Sequence, residues 1–183
     1  MTAPGRSFAI VGPSGVGKDT LLARVAPLCP DLIIARRVIT RPESAGGEPF
    51  EGVSQAEFDR RRAGFALTWA AHGLCYAIPA DLRRAQLAGH RIAFNGSRRM
   101  LAQAAVTFAP LTVIAVTARP EVLAARLAAR GREDAAAIAQ RLERADMRLP
   151  DLPGVPVVNI DNSGDVDAAV RQMRLAIDGD HAG

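Results

Sequence analysis

Gly12, Pro13, Ser14, Gly15, Val16, Gly17 and Lys18, followed by Asp19 and Thr20, are the residues whose types and spacing most plainly carry chemistry. They come directly after the apolar run 8–11 and lead into a second apolar stretch, 21–25, so the order is buried strand, glycine-rich turn, helix. That is the context of a P-loop. The glycines let successive backbone N–H groups turn inward on a phosphate, and the helix behind them presents its positive dipole end. Lys18 is the only lysine in 183 residues and adds a mobile cation for the β- and γ-phosphates of ATP. A tight strand-to-helix turn alone accounts for Gly12 but not for Lys18.

One position departs from the pattern. Where G-x-x-x-x-G-K is ordinarily followed by a Ser or Thr whose hydroxyl ligates Mg²⁺, this chain has Asp19, with Thr20 one place later. Either Asp19 is itself a ligand of Mg²⁺, directly or through water, or Thr20 supplies the hydroxyl and Asp19 orients it. A carboxylate beside the phosphates of ATP is tolerable chiefly when a metal neutralises it.

Composition bounds what these residues can belong to. With 49% hydrophobic and 23% charged residues, the chain can build one compact core and is too short for two ordinary domains. No apolar run approaches the roughly 20 residues of a membrane span, and residues 1–6 hold no signal-peptide core; a cytoplasmic chain without membrane contact is expected. The calculated pI is near 10.0, yet the formal charge is only +4, and no basic patch is interleaved with aromatics, so nucleic acid is not an expected partner. Cys29 and Cys75 fit no metal or redox spacing, and His72, His90 and His181 are too scattered to hold a metal.

The elements that must position the loop follow from periodicity and breakers. Strands are expected at 7–11 and 32–40, with a helix at 18–26 between them. Residues 41–54 carry several turn formers and no period, and read as a loop. Ser54 with Glu57 makes a capping box for a short helix at 55–62, and 65–69 and 75–78 are short strands flanking a turn at His72-Gly73. Thereafter helices at 80–87, 98–108 and 120–129 alternate with strands at 91–94 and 111–116. A further helix reaches about residue 147, then a strand at 155–160 and a closing helix at 166–177. This alternation means a parallel sheet with right-handed crossovers. The 41–79 segment interrupts it as a small insertion with its own sheet and helix.

With these residues laid out, the chain resembles the guanylate-kinase-like branch of P-loop kinases. The matching features, in order, are the phosphate loop, Thr40-Arg41-Pro42, Gly47-Glu48, Val53-Ser54, Glu57-Phe58, Gly64-Phe65, Trp69, Gly73-x-x-Tyr76 and Arg126-Leu127-x-x-Arg130-Gly131. The resemblance implies one α/β domain of the three-layer P-loop NTPase class, with a five-stranded parallel sheet, a core of 1–40 and 80–183, an acceptor-binding insertion of 41–79 and a lid at about 130–141. It places Arg41 and Tyr76 on phosphate-holding positions, Arg130 and Arg141 on the lid with Lys18 as catalytic groups, and Asn162 near the adenine. The guanine-reading positions differ. Thr68 stands where a glutamate would pair with the base, Ile78 replaces a hydroxyl residue and Phe50 replaces a tyrosine.

Those departures are similar to the ribose 1,5-bisphosphate phosphokinase family. The strings that carry this likeness are the phosphate loop ending Lys18-Asp19, Arg37-Val38-Ile39-Thr40-Arg41-Pro42, His72-Gly73-Leu74-x-Tyr76-x-Ile78-Pro79 and Asn95-Gly96-Ser97-Arg98; Ala77, where glycine is expected, is a mismatch. The family implies phosphoryl transfer from ATP, with Mg²⁺, to a small phosphorylated sugar. Such an acceptor has two phosphates and no base, and suits a site rich in arginine: Arg37, Arg41 and Arg98, with Tyr76 and with Asn95 at the end of its strand. Within the same fold the rivals are a nucleoside monophosphate kinase and a kinase of another small sugar phosphate. A non-catalytic binding module of this fold would have lost the loop that is complete here.

Overall fold

The computed structural model describes residues 3–45, 49–129 and 148–179. Strand β1 (Ser7–Val11) is buried along its whole length, as a central parallel strand should be. It lies in the middle of a five-stranded sheet ordered β2 (Leu32–Ile34), β7 (Arg91–Asn95), β1, β8 (Leu111–Thr117), β9 (Val157–Asp161), every pairing parallel. The expected three-layer arrangement follows from the pleat. Phe8 and Ile10 face one apolar cluster, against α1 (Lys18–Val25), α5 (Pro120–Ala129) and α6 (Val166–Asp178); Ala9 and Val11 face the other, against α3 (Ala80–Leu87) and α4 (Leu101–Thr107).

A second, four-stranded sheet has the order β4 (Phe50–Gly52), β3 (Arg37–Ile39), β6 (Leu74–Pro79), β5 (Phe65–Ala71). Two expectations need correction here. The apolar run 32–40 is two strands rather than one: β2 pairs with β7 in the main sheet, while β3, after Ala35 and Arg36, pairs with β4 and β6 in the second. The second sheet therefore starts at Arg37, four positions before the expected boundary. Within the expected loop 41–54, residues 50–52 form β4, parallel to β3. Glu43 organises this stretch, taking hydrogen bonds from Arg36 (3.1 Å) and from the Gly52 N–H (3.1 Å).

Ser54 caps α2 (Gln55–Arg60), its hydroxyl accepting from the Glu57 N–H at 3.2 Å. His72 and Gly73 both take positive φ in the two-residue turn that joins β5 to β6. The second sheet packs on the main core through Leu67 and Ile78, both essentially buried. Among the described residues, no helix is long and apolar enough to cross a membrane.

Candidate active site

The order β2-β7-β1-β8-β9 puts the chain's switch of direction beside β1, and ligands in such sheets bind outside the carboxyl ends of the strands. The phosphate loop follows β1, Asn95 ends β7, and Asn162 follows β9. Residues distant in sequence are thereby gathered at one rim.

The loop is shaped by what stands against it. Gly12 has a φ of +154°, and a Cβ there would lie 2.3 Å from the Val116 carbonyl oxygen. Gly17 has a φ of +98°, and its Cβ would lie 2.6 Å from Asn162 Nδ2. No side chain caps α1, which leaves its first N–H groups to an anion. Lys18 Nζ donates to the carbonyls of Gly12 (2.8 Å) and Pro13 (3.1 Å), so the ammonium is already held over the loop. Gly12→Ala is expected to lower stability by about 2–3 kcal/mol, because the new methyl meets backbone and not a movable side chain. A thermal melt should fall by about 2–4 °C for each of these kcal/mol; an unchanged melt would refute the close packing of Gly12 on Val116.

Of the two candidate metal residues, Asp19 is the one drawn to the rim. Its Oδ1 accepts from Asn95 Nδ2 at 2.5 Å, and Asn95 is only 2% exposed. Asp19 and Thr20 are both exposed at the start of α1, so the contact with Asn95 is what separates them. Among the described residues, no three His, Cys, Asp or Glu side chains cluster as a complete metal cage. A single carboxylate fits Mg²⁺, which ordinarily takes one or two carboxylates and fills its octahedron with substrate phosphates and water.

Facing Asp19 from the second sheet is Arg37. Its guanidinium lies over the rings of Tyr76 (5.3 Å to the centroid) and Trp69 (5.9 Å), which stack on each other at 5.3 Å and 7°. Burial pushes the Arg37 pKa down to about 10, and the negative charge of Asp19 opposes that fall. At neutral pH the side chain remains a cation, held between an aromatic wall and the phosphate loop. Arg98, in the turn after β7, is also lowered by burial. Arg41 stacks on Phe50, 4.5 Å from its centroid, and lines a cleft of about 500 Å³ between residues 40–42, residues 52–55 and Gly73.

The structure thus brings together Lys18, Asp19, Asn95, Arg37 and Tyr76, and sets Arg41 on the neighbouring cleft. Arg130 and Arg141 lie outside the described residues. Ile78 is 0% exposed within the core, so it offers no surface to a base. Asn162 is on the other flank of the loop, 2% exposed, with Nδ2 donating to the Val16 carbonyl at 2.8 Å. Arg126 of α5, which opens the Arg126-Leu127-x-x-Arg130-Gly131 string, donates to the Val16 carbonyl (3.3 Å) and to the Asn162 carbonyl (2.9 Å). The signal for it in the sequence is its place four positions before Arg130.

No family model matches the chain. It is 48% identical over 183 residues to ribose 1,5-bisphosphate phosphokinase PhnN of Ruegeria sp. (strain TM1040), covering 98% of this chain and 95% of the relative. To the protein of the same name from Pseudomonas paraeruginosa (strain DSM 24068 / PA7) it is 42% identical over 182 residues, covering 97% and 98%. Among solved structures it is similar to a guanylate kinase from Anaplasma phagocytophilum, with a TM-score of 0.68, 16% identity, and coverage of 100% of this chain and 89% of that one. With a guanylate-kinase-like fold and this identity over nearly its whole length, the chain belongs to the ribose 1,5-bisphosphate phosphokinase family.

Proposed function

We propose that the protein transfers the γ-phosphoryl group of ATP to the 1-phosphate of ribose 1,5-bisphosphate, giving 5-phosphoribosyl 1-diphosphate and ADP. The observation that carries this reading is the placing of Arg37 over Tyr76, within electrostatic reach of Asp19 on the phosphate loop. A cation in that position suits a phosphorylated acceptor lying next to the donor's phosphates. Thr68 and Ile78, where a guanine kinase reads its base, supply no carboxylate, and Ile78 no surface.

In this reading an oxygen of the acceptor's 1-phosphate attacks the γ-phosphorus in line, the bond from γ-phosphorus to the β,γ-bridging oxygen breaks, and ADP leaves with that electron pair. The attacking phosphate is already ionised at neutral pH, so no general base is required. The work is positioning and charge neutralisation. Loop N–H groups and Lys18 hold the β- and γ-phosphates. Arg37, Arg41, Arg98, Tyr76 and Asn95 hold the acceptor, Arg37 with a planar fork suited to a phosphate. Asp19, oriented by Asn95, would hold Mg²⁺ directly or through water, with Thr20 as the other candidate; when bound, the ion would supply neutralisation of phosphate charge. Arg130 and Arg141 are assigned to a lid at 130–141 that closes last and excludes water.

The test is an ATP- and Mg²⁺-dependent assay with ribose 1,5-bisphosphate and GMP side by side, following 5-phosphoribosyl 1-diphosphate and GDP. A preference for the sugar of about 10²-fold or more in kcat/KM is expected, because a site built to hydrogen-bond a base discriminates strongly and this one lacks those groups. Preference for GMP would overturn the reading, and turnover of neither would reassign the acceptor to another phosphorylated sugar.

A further inference from the structure

The Val16 carbonyl, in the middle of the phosphate loop, receives two side-chain donors from two separate parts of the chain. Asn162 reaches it at 2.8 Å from the loop after β9, and Arg126 at 3.3 Å from α5. The two donors are themselves tied, since Arg126 also donates to the Asn162 carbonyl at 2.9 Å, while the Asn162 N–H donates to the Thr117 carbonyl at 2.8 Å. Asn162 is 2% exposed, and its Oδ1 is buried with no hydrogen-bond partner among the described residues. An amide buried with half its capacity unused is held in place by its other half. Its flip is also settled, because turning Oδ1 toward the Val16 oxygen would set two acceptors against each other.

The peptide plane makes this contact consequential. In a trans peptide the carbonyl of Val16 and the N–H of Gly17 point in opposite directions. A carbonyl held outward by two donors therefore turns the Gly17 N–H inward, toward the place a phosphate oxygen takes. Gly17 must be a glycine for the same reason, since the Asn162 amide occupies the space of its Cβ.

We propose that Asn162 and Arg126 form a positioning pair that aims the Gly17 N–H into the phosphate cradle by holding the Val16 carbonyl outward. The pair acts on the triphosphate through the loop and not by touching the purine. The inference rests on reading the loop as an ATP site and is independent of which acceptor is used.

The experiment compares the wild-type chain with Asn162→Ala, Arg126→Ala and the conservative Arg126→Lys, without any acceptor. Two quantities are read: the affinity for Mg·ATP by calorimetry, and amide hydrogen exchange of residues 12–18 in the nucleotide-free protein. Both alanine variants should bind ATP about tenfold more weakly and exchange these amides about tenfold faster, the size expected for one lost buried hydrogen bond. Arg126→Lys, which keeps a cation and donors, should recover part of each effect. Weaker ATP binding with unchanged exchange in the free protein would overturn the proposal in favour of direct contact with the nucleotide. Faster exchange with unchanged ATP affinity, or no change in either, would also overturn it. Because no acceptor is present, each of these outcomes leaves the choice of ribose 1,5-bisphosphate untouched, and that choice can fail in its own assay without affecting this one.

Discussion

Lys18→Ala is expected to lower kcat by about 10³-fold while the chain keeps its fold. Lys18 stands over the loop with its ammonium on the Gly12 and Pro13 carbonyls, and the same group can shift to the β- and γ-phosphates when ATP fills the cradle. In the transition state, negative charge gathers on the bridging and equatorial oxygens, so the interaction strengthens as the reaction proceeds. An interaction of that kind is lost from kcat more than from KM. The effect on stability has a different size. Two part-buried carbonyls lose a donor and turn to water, which costs about 1 kcal/mol and about 2–4 °C in the melt. Lys18→Arg should not restore turnover, because a planar guanidinium is wider and its donors are fixed in a fork. The measurement is turnover at saturating ATP and acceptor together with a melting curve; turnover within about tenfold of wild type would remove Lys18 from the mechanism.

How much of this could be read from the chain alone depended on the range of the interaction. The loop 12–20 was legible because its chemistry is local: strand, glycines, lysine and helix are contiguous, and the structure reproduces their order. The cap at Ser54 and the turn at His72-Gly73 are local in the same sense. The run 32–40 was not, because a segment that leaves one sheet and joins another keeps the same apolar, β-branched composition throughout. Only the partners, β7 for residues 32–34 and β4 with β6 for residues 37–39, separate the two strands. The 50–52 strand was hidden for a related reason, since three residues are too few to display a period.

The site divides along the same line. Asp19 stood out in the sequence as a departure from a pattern, but its partner Asn95 is 76 positions away, and nothing near Asp19 announces it. The contact of Asn162 with Val16 spans 146 positions, and a single asparagine after a strand reads equally as a turn residue or a ligand. Arg126 was one arginine among many in an arginine-rich chain. What distinguishes it is the pair of carbonyls it reaches, and those are defined only once β8, α5 and β9 have brought the loop's flank together.

Arg37→Leu is expected to reduce kcat/KM for the acceptor by about 10²-fold, with the KM for ATP changed by no more than about threefold and with no loss of stability. The magnitude follows from losing a charge-assisted, two-pronged hydrogen bond to a phosphate, of which each prong is worth about 1.5–3 kcal/mol. The stability prediction follows from the sign of the pKa shift. Burial lowers the Arg37 pKa from its ordinary arginine value to about 10, so above that pH the unfolded chain holds the proton more firmly than the folded chain, and stability rises with pH there. Below about pH 10 the folded protein therefore carries the burden of a desolvated cation. Leucine, laid on the Tyr76 and Trp69 rings in its place, removes that burden and keeps apolar contact. A residue present only for packing would behave in the opposite way, its loss lowering the melt and leaving the kinetics alone. Equal changes in the KM of ATP and acceptor, or a lowered melt with unchanged kinetics, would take Arg37 out of the acceptor site and leave its position over the aromatic pair as a matter of packing.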